Sequence, residues 1–479
     1  MSVVVAQPMQ AQANLPLNPK LIYTPPDRVN MRIESETIDP IVNRNKQYVR
    51  FQLPTKGILD NTSLIVFEVS GQGTSMPAKI TFPFLSGAYS LLDRVVLTAP
   101  NGVVIDEIDA CGQYKTFQKL FRPNENAILK EQYTKMSSPE LKFIDYNPLE
   151  CDYMDGAGME DFQAYPNRVG AAGDGSDEDF NYSSHHNLSR VSDDFHGYGN
   201  HGLRQGVKME VSFKLSELFP FFKNNQFNLF MYDKPLTIEL FLNQTGSAIV
   251  GTEHNDANVV VGDYQINNVE LQADLLYFNN QIMQQLSTTK DAGLYQGIAY
   301  HSVAIPVGIT NQISRQRIEI PASGLLVQAI YIQNNPYAVA GGRAGNVAGV
   351  YNSPSTFDES YNIRINDETI FDQDVDNSAL LYSLTSQAGG NNLQMLQGMY
   401  SGKLANGAVN DGHSRGKGHF VAFDLGAGGR KVGLNPIEIF YNRNINSSAS
   451  VCPASTLNVF IVYAKTYVRS ANAFSVGDV

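Results

Sequence analysis

Four of the eight histidines, His185, His186, His196 and His201, fall in one stretch that also carries Asp193 and Asp194 and follows the acidic run Asp177-Glu178-Asp179. Imidazole and carboxylate groups at this density are what a transition metal binds. Their spacing argues against a site: zinc needs ligands paired on rigid geometry, and the chain has no HxH, HExxH or paired CxxC. The acidic run lacks the alternating oxygens and central glycine of a calcium loop, so a solvated polar loop is the better reading. His413 and His419 come nearest to the histidines that facing strands of a tandem-sandwich metalloenzyme would offer, and they stand too far apart. Gly416-Lys417 is followed by Gly418, and position 411, where a phosphate loop needs glycine, is Asp411. No GxSxG elbow presents a serine nucleophile. Cys111, Cys151 and Cys452 are odd in number and widely spaced, which suits reduced, buried thiols. The expectation is no catalytic residue, no cofactor and no metal.

The elements that carry these residues read as strands. Charged residues are 17% of the chain, against about 25% in an average soluble domain, while Tyr, Phe and Gly number 24, 25 and 39. Aromatic residues favour strands, and glycine favours turns. Apolar side chains recur at every second position in Val49, Phe51 and Leu53 and again in Ile65, Phe67 and Val69, the period of a strand with one buried face. Pro100-Asn101-Gly102 separates Val95-Val96-Leu97 from Val103-Val104-Ile105, a hairpin signal because Asn-Gly tolerates positive φ. Tyr114, Phe117 and Phe121 predict one short helix after it. With 47 acidic against 35 basic side chains the net charge is −12, and no basic tract could follow a phosphate backbone, so direct sequence-specific nucleic-acid binding is not expected. No run reaches the roughly 18 apolar residues of a spanning helix. Ser2-Val3-Val4-Val5-Ala6 lacks the cationic lead of an export signal. Most of the sequons at Asn61, Asn181, Asn187, Asn243 and Asn446 are therefore expected to be unmodified.

The chain repeats itself once. Leu53-Pro54-Thr55-Lys56-Gly57-Ile58-Leu59 is echoed 267 residues later by Ile320-Pro321-Ala322-Ser323-Gly324-Leu325-Leu326. Ile105-Asp106-Glu107 is matched by Phe371-Asp372-Gln373 at 266, and Pro235-Leu236-Thr237-Ile238-Glu239 by Pro436-Ile437-Glu438-Ile439 at 201. The last strands, to Tyr277 and to Tyr467, align at 190. The repeat marks are thus Pro54, Gly57, Pro321, Gly324, Asp106, Asp372, Pro235 and Pro436. The falling offset predicts one large polar insertion in the first copy, at about 122–206. The expected architecture is all-β: two tandem eight-stranded antiparallel sandwiches with a few short helices and long surface loops. The expected boundaries are an extended arm over 1–30, a first sandwich over 31–280, a linker over 281–291 with a short helix at 281–286, and a second sandwich over 292–479.

The segment Phe213-Lys214-Leu215-Ser216-Glu217-Leu218-Phe219-Pro220-Phe221-Phe222, followed by Lys234-Pro235-Leu236-Thr237-Ile238-Glu239-Leu240, resembles the double jelly-roll major capsid proteins of DNA viruses. With the duplication and the total length, the likeness covers residues 30–479 and leans toward the virophage and polinton-like branch. The resemblance implies jelly-roll sandwiches, a homotrimer that mimics a hexagon, and a place in the virion shell. Its implied partners are neighbouring capsomers, penton and minor capsid proteins, and an internal membrane. The rival reading is a tandem-sandwich carbohydrate-binding or glycan-processing protein, which would want an aromatic platform, and the chain has no Trp.

Overall fold

The computed structural model describes residues 31–72, 79–82, 87–120, 202–203, 208–243, 250–252, 263–305, 308–309, 314–335, 358–372, 374–376, 420–426, 428–444, 451–452, 455–470 and 473–479. The arm over 1–30, the histidine and acidic stretch, His413, His419, Cys151 and nearly all of the insertion over about 122–206 lie outside the described residues.

The first half supplies β1 (Arg32–Ile38), β2 (Tyr48–Gln52), β3 (Leu64–Gln72), β4 (Leu92–Thr98), β5 (Val104–Ile108), β6 (Met209–Lys214), β7 (Thr237–Leu242) and β8 (Asp263–Tyr277). They form two sheets of order β1-β8-β3-β6 and β2-β7-β4-β5, antiparallel throughout. The second half supplies β9 (Asp291–Ile305), β10 (Ser314–Ile320), β11 (Leu326–Asn335), β12 (Asp358–Ile365), β13 (Glu368–Thr369), β14 (Phe420–Asp424), β15 (Ile437–Asn444) and β16 (Ser455–Ser470). Its sheets run β9-β16-β11-β14 and β10-β15-β12-β13, again antiparallel. Each of these eight first-half strands therefore has a counterpart eight strands later at the same place in the corresponding sheet. The pairing keeps register as well. Offsets of 267 and 201 carry Phe51 and Ile238 onto Ile318 and Ile439, and both pairs are cross-strand partners in their own sheets.

Alternation makes these strands. Val49 and Phe51 of β2, Phe67 and Val69 of β3, and Ile238 and Leu240 of β7 are buried in the first core, where Phe213 meets Phe67 edge-on at 5.7 Å. Burying each large apolar side chain contributes about 1.5–3 kcal/mol. Ile318, Ile330, Ile363, Ile439 and Val459 fill the second core in the same way. Helix α1 (Cys111–Leu120) follows β5 and includes Tyr114 and Phe117 of the expected helical pattern; α2 (Leu215–Leu218) follows β6. Helix α3 (Asn280–Thr288) joins the halves, its first turn capped by the Asn279 side chain accepting from the Ile282 N–H at 2.9 Å. A last strand, β17 (Ala473–Asp478), folds back on the end of β16.

Candidate functional site: the seam between the two sandwiches

A strand buried on both faces locates the seam. In β16, Leu457, Val459 and Ile461 belong to the second core, while Phe460 and Val462 on the opposite face are buried in a cluster continuous with the first core, and Ala464 beside them is buried too. In the corresponding β8, Glu270, Gln272 and Asp274 lie between buried Val269, Leu271, Ala273 and Leu275 and stay partly exposed. The unbroken apolar run of β16 is thus the mark of a strand covered on both faces.

The first sandwich receives this strand at the end formed by the β4–β5 turn, α1 and the Phe219–Phe222 segment. Tyr114 of α1 meets Phe460 at 5.7 Å. Phe221 is ringed edge-on by Tyr295, Tyr467 and Phe474 at 5.3–5.8 Å, and Tyr467 stacks on Phe474 with ring planes 3° apart. Gly293 and Gly297 of β9 make room for this cluster. A Cβ on Gly293 would stand 2.7 Å from the Tyr467 ring, and one on Gly297 would stand 2.6 Å from the Tyr463 ring.

Polar groups fix the register across the seam. The Ile105 carbonyl accepts from the Tyr295 hydroxyl at 2.7 Å and from Lys465 Nζ at 3.0 Å. Asn101 Nδ2 donates to the Phe474 carbonyl at 2.6 Å, and the Tyr467 hydroxyl donates to Asn225 Oδ1 at 3.2 Å. Asp106 is fully buried and its Oδ2 accepts the Phe221 N–H at 2.8 Å. Burial pushes its carboxyl up to about 7, against the pull of that N–H and of Lys465 and Lys115. Burial likewise raises the Tyr295 and Tyr467 phenols, so both remain neutral donors. Beside them Asp291, at the start of β9, is paired with Arg469 in a nearly sealed site. Cys111, at the start of α1, is buried, and its thiol is pushed up to about 11.

The repeat marks take matched and unmatched places. Gly57 and Gly324 both adopt left-handed backbone, at φ of 66° and 82°, in the loops after β2 and β10, a conformation costly for any residue with a Cβ. Pro54 and Pro321 open those loops, and Pro235 and Pro436 precede β7 and β15. Asp106 and Asp372 share a position in the sequence pattern but not an environment, since Asp372 is exposed. The seam residues Tyr295, Lys465 and Phe474 escaped the sequence reading. Its available signals were the two-sided apolar run of β16 and the density of Phe in 219–222. Among the described residues no group of three or more His, Cys, Asp or Glu could hold a metal, and no helix is long and apolar enough to cross a membrane.

No family model and no curated protein sequence matches the chain. Solved structures do. A PBCV-1 VP54 structure fitted into a reconstruction of the virophage Sputnik aligns over 96% of this chain and 98% of its own, with a TM-score of 0.56 and 13% identity. The Sputnik virophage structure covers 100% and 93%, with a TM-score of 0.53 and 10% identity. The mavirus major capsid protein covers 97% and 95%, with a TM-score of 0.50 and 13% identity. The fold is the double jelly roll. The match runs over both sandwiches.

Proposed function

We propose that this double jelly roll is the major capsid protein of a DNA virus, a structural protein without enzymatic activity that works in the virion. Three copies form a closed homotrimer that presents six sandwiches and so occupies a hexagonal site of an icosahedral shell. The observation that carries the reading is the pairwise correspondence of eight strands in each half, register included. It gives a threefold ring six comparable outer walls. In this reading the boundaries are an arm over 1–30, a first jelly roll over 31–280, a linker over 281–291 and a second jelly roll over 292–479. The insertion over about 122–206 then makes three projections per trimer. Lateral contacts tile neighbouring capsomers, and the arm meets minor capsid proteins on the inner face, where an internal membrane separates shell from genome. Pentons fill the fivefold positions. The acidic balance of 47 to 35 supports a wall that encloses nucleic acid without gripping it.

Electron microscopy of the purified chain tests the reading. Ring-shaped trimers of three 52.8 kDa chains, or particles with a hexagonal surface net, are the expected result. A monodisperse monomer at every concentration would overturn it.

A further inference from the structure

The seam inside the chain specifies the contact between chains. In a ring of six like sandwiches, the relation of the second sandwich to the first recurs between the first sandwich of one copy and the second of the next. This step rests on the trimeric reading and adds to it the residues that meet.

Two registers transfer the seam. The 190-residue offset carries Leu275 of β8 onto Lys465 of β16; Glu34 pairs with Leu275 and Tyr295 pairs with Lys465, so Glu34 of β1 holds the place of Tyr295. Two residues on, Glu36 holds the place of Gly297. At the receiving end the register is one residue out of step, since Leu59 pairs with Phe227 and Leu275 whereas its counterpart Leu326 pairs with Lys431 and Ala464, so Arg430–Lys431 holds the place of Phe227–Asn228 as a strand rather than residue by residue. The exchange is complementary: where the chain sets tyrosine and phenylalanine together within itself, it offers acids on β1 and the cations Arg430 and Lys431 at the end of the second sandwich.

An exposed apolar group marks the receiving end: Leu434, three residues past Lys431, is 95% exposed. The Asn366–Asp367 turn, which occupies the place of the Asn101 turn, binds this end through Asn366 Nδ2 donating to the Lys431 carbonyl at 2.7 Å. Within one chain Glu34 meets Arg32, Glu36 meets Lys56, and Lys431 reaches the Val479 carbonyl. All of these are surface contacts that a second copy can exchange at small cost.

We propose that strand β1 of one copy docks on the Arg430–Lys431–Leu434 end of the second sandwich of a second copy, with Glu34 and Glu36 facing the two cations. The interface between chains is then ionic and salt-sensitive where the seam within the chain is aromatic and permanent.

Sedimentation of the full chain and disulfide trapping test this. Lys431→Glu, or Glu34→Lys with Glu36→Lys, is expected to weaken trimers by at least about tenfold. Combining the three is expected to restore most of the loss, which a merely misfolded variant would not show. Glu34→Cys with Lys431→Cys is expected to give covalent trimers on oxidation. If wild type forms rings while the reversals leave them intact and the cysteines link only within a chain, the inference fails and the capsomer reading stands. If wild type never leaves the monomer, the capsomer reading falls and this inference with it.

Discussion

Asp106 is the residue on which the two sandwiches and a titration meet. Its carboxyl sits at about 7 in the folded chain because burial disfavours the charge, whereas an exposed aspartate titrates near about 3.9. Between those values the folded chain holds a proton that the unfolded chain has released. Stability therefore falls as pH rises through this window and levels off above about 7. Asp106→Asn keeps an oxygen for the Phe221 N–H and removes the charge. Its melting temperature is expected to change less than that of wild type between pH 5 and 8, and to exceed it at pH 8. Equal slopes in a thermal-melt series would show that Asp106 is not the group responsible. Its sequence partner Asp372 lies in solvent.

At the scale of elements, β17 acts as a clasp. Among the described strands it pairs only with the end of β16, yet Phe474 places its ring against Phe221, Phe227 and Tyr467. Truncating a buried phenylalanine costs about 3–5 kcal/mol, from lost transfer energy and the cavity left behind. Phe474→Ala is expected to lower stability by about that amount in denaturant titration, although it lies only five residues from Val479. An effect within about 0.5 kcal/mol, the range of an ordinary surface change, would mean that β17 is peripheral. The strands themselves were legible, because alternation such as Val49, Phe51 and Leu53 records which face is buried. β1 was not, since RIESETI carries two glutamates on an edge strand, where burial is partial and pattern weak.

Across the whole molecule the first core continues into the second sandwich through Tyr295, Ile298, Phe460, Val462 and Phe474. Residues 292–479 expressed alone would present that face to water as one apolar patch, larger than monomers usually tolerate. The isolated half is expected to bind a hydrophobic dye strongly or to aggregate, while the full chain does neither. A soluble, dye-silent second half would show that the seam is not part of its fold. The same continuity predicts that the full chain unfolds as one unit rather than sandwich by sandwich.

The amino-acid sequence by itself determined the all-β class, the duplication and its registers, because alternation and turn chemistry are local and a repeated unit repeats them. It also determined the glycine positions after β2 and β10, where backbone geometry admits little else. Only the tertiary structure decided which apolar residues face their own core and which face the other sandwich. Phe460 and Val459 are neighbours of the same type, and what separates them is the partner on each side of the strand, which for Phe460 includes Tyr114, 346 positions away.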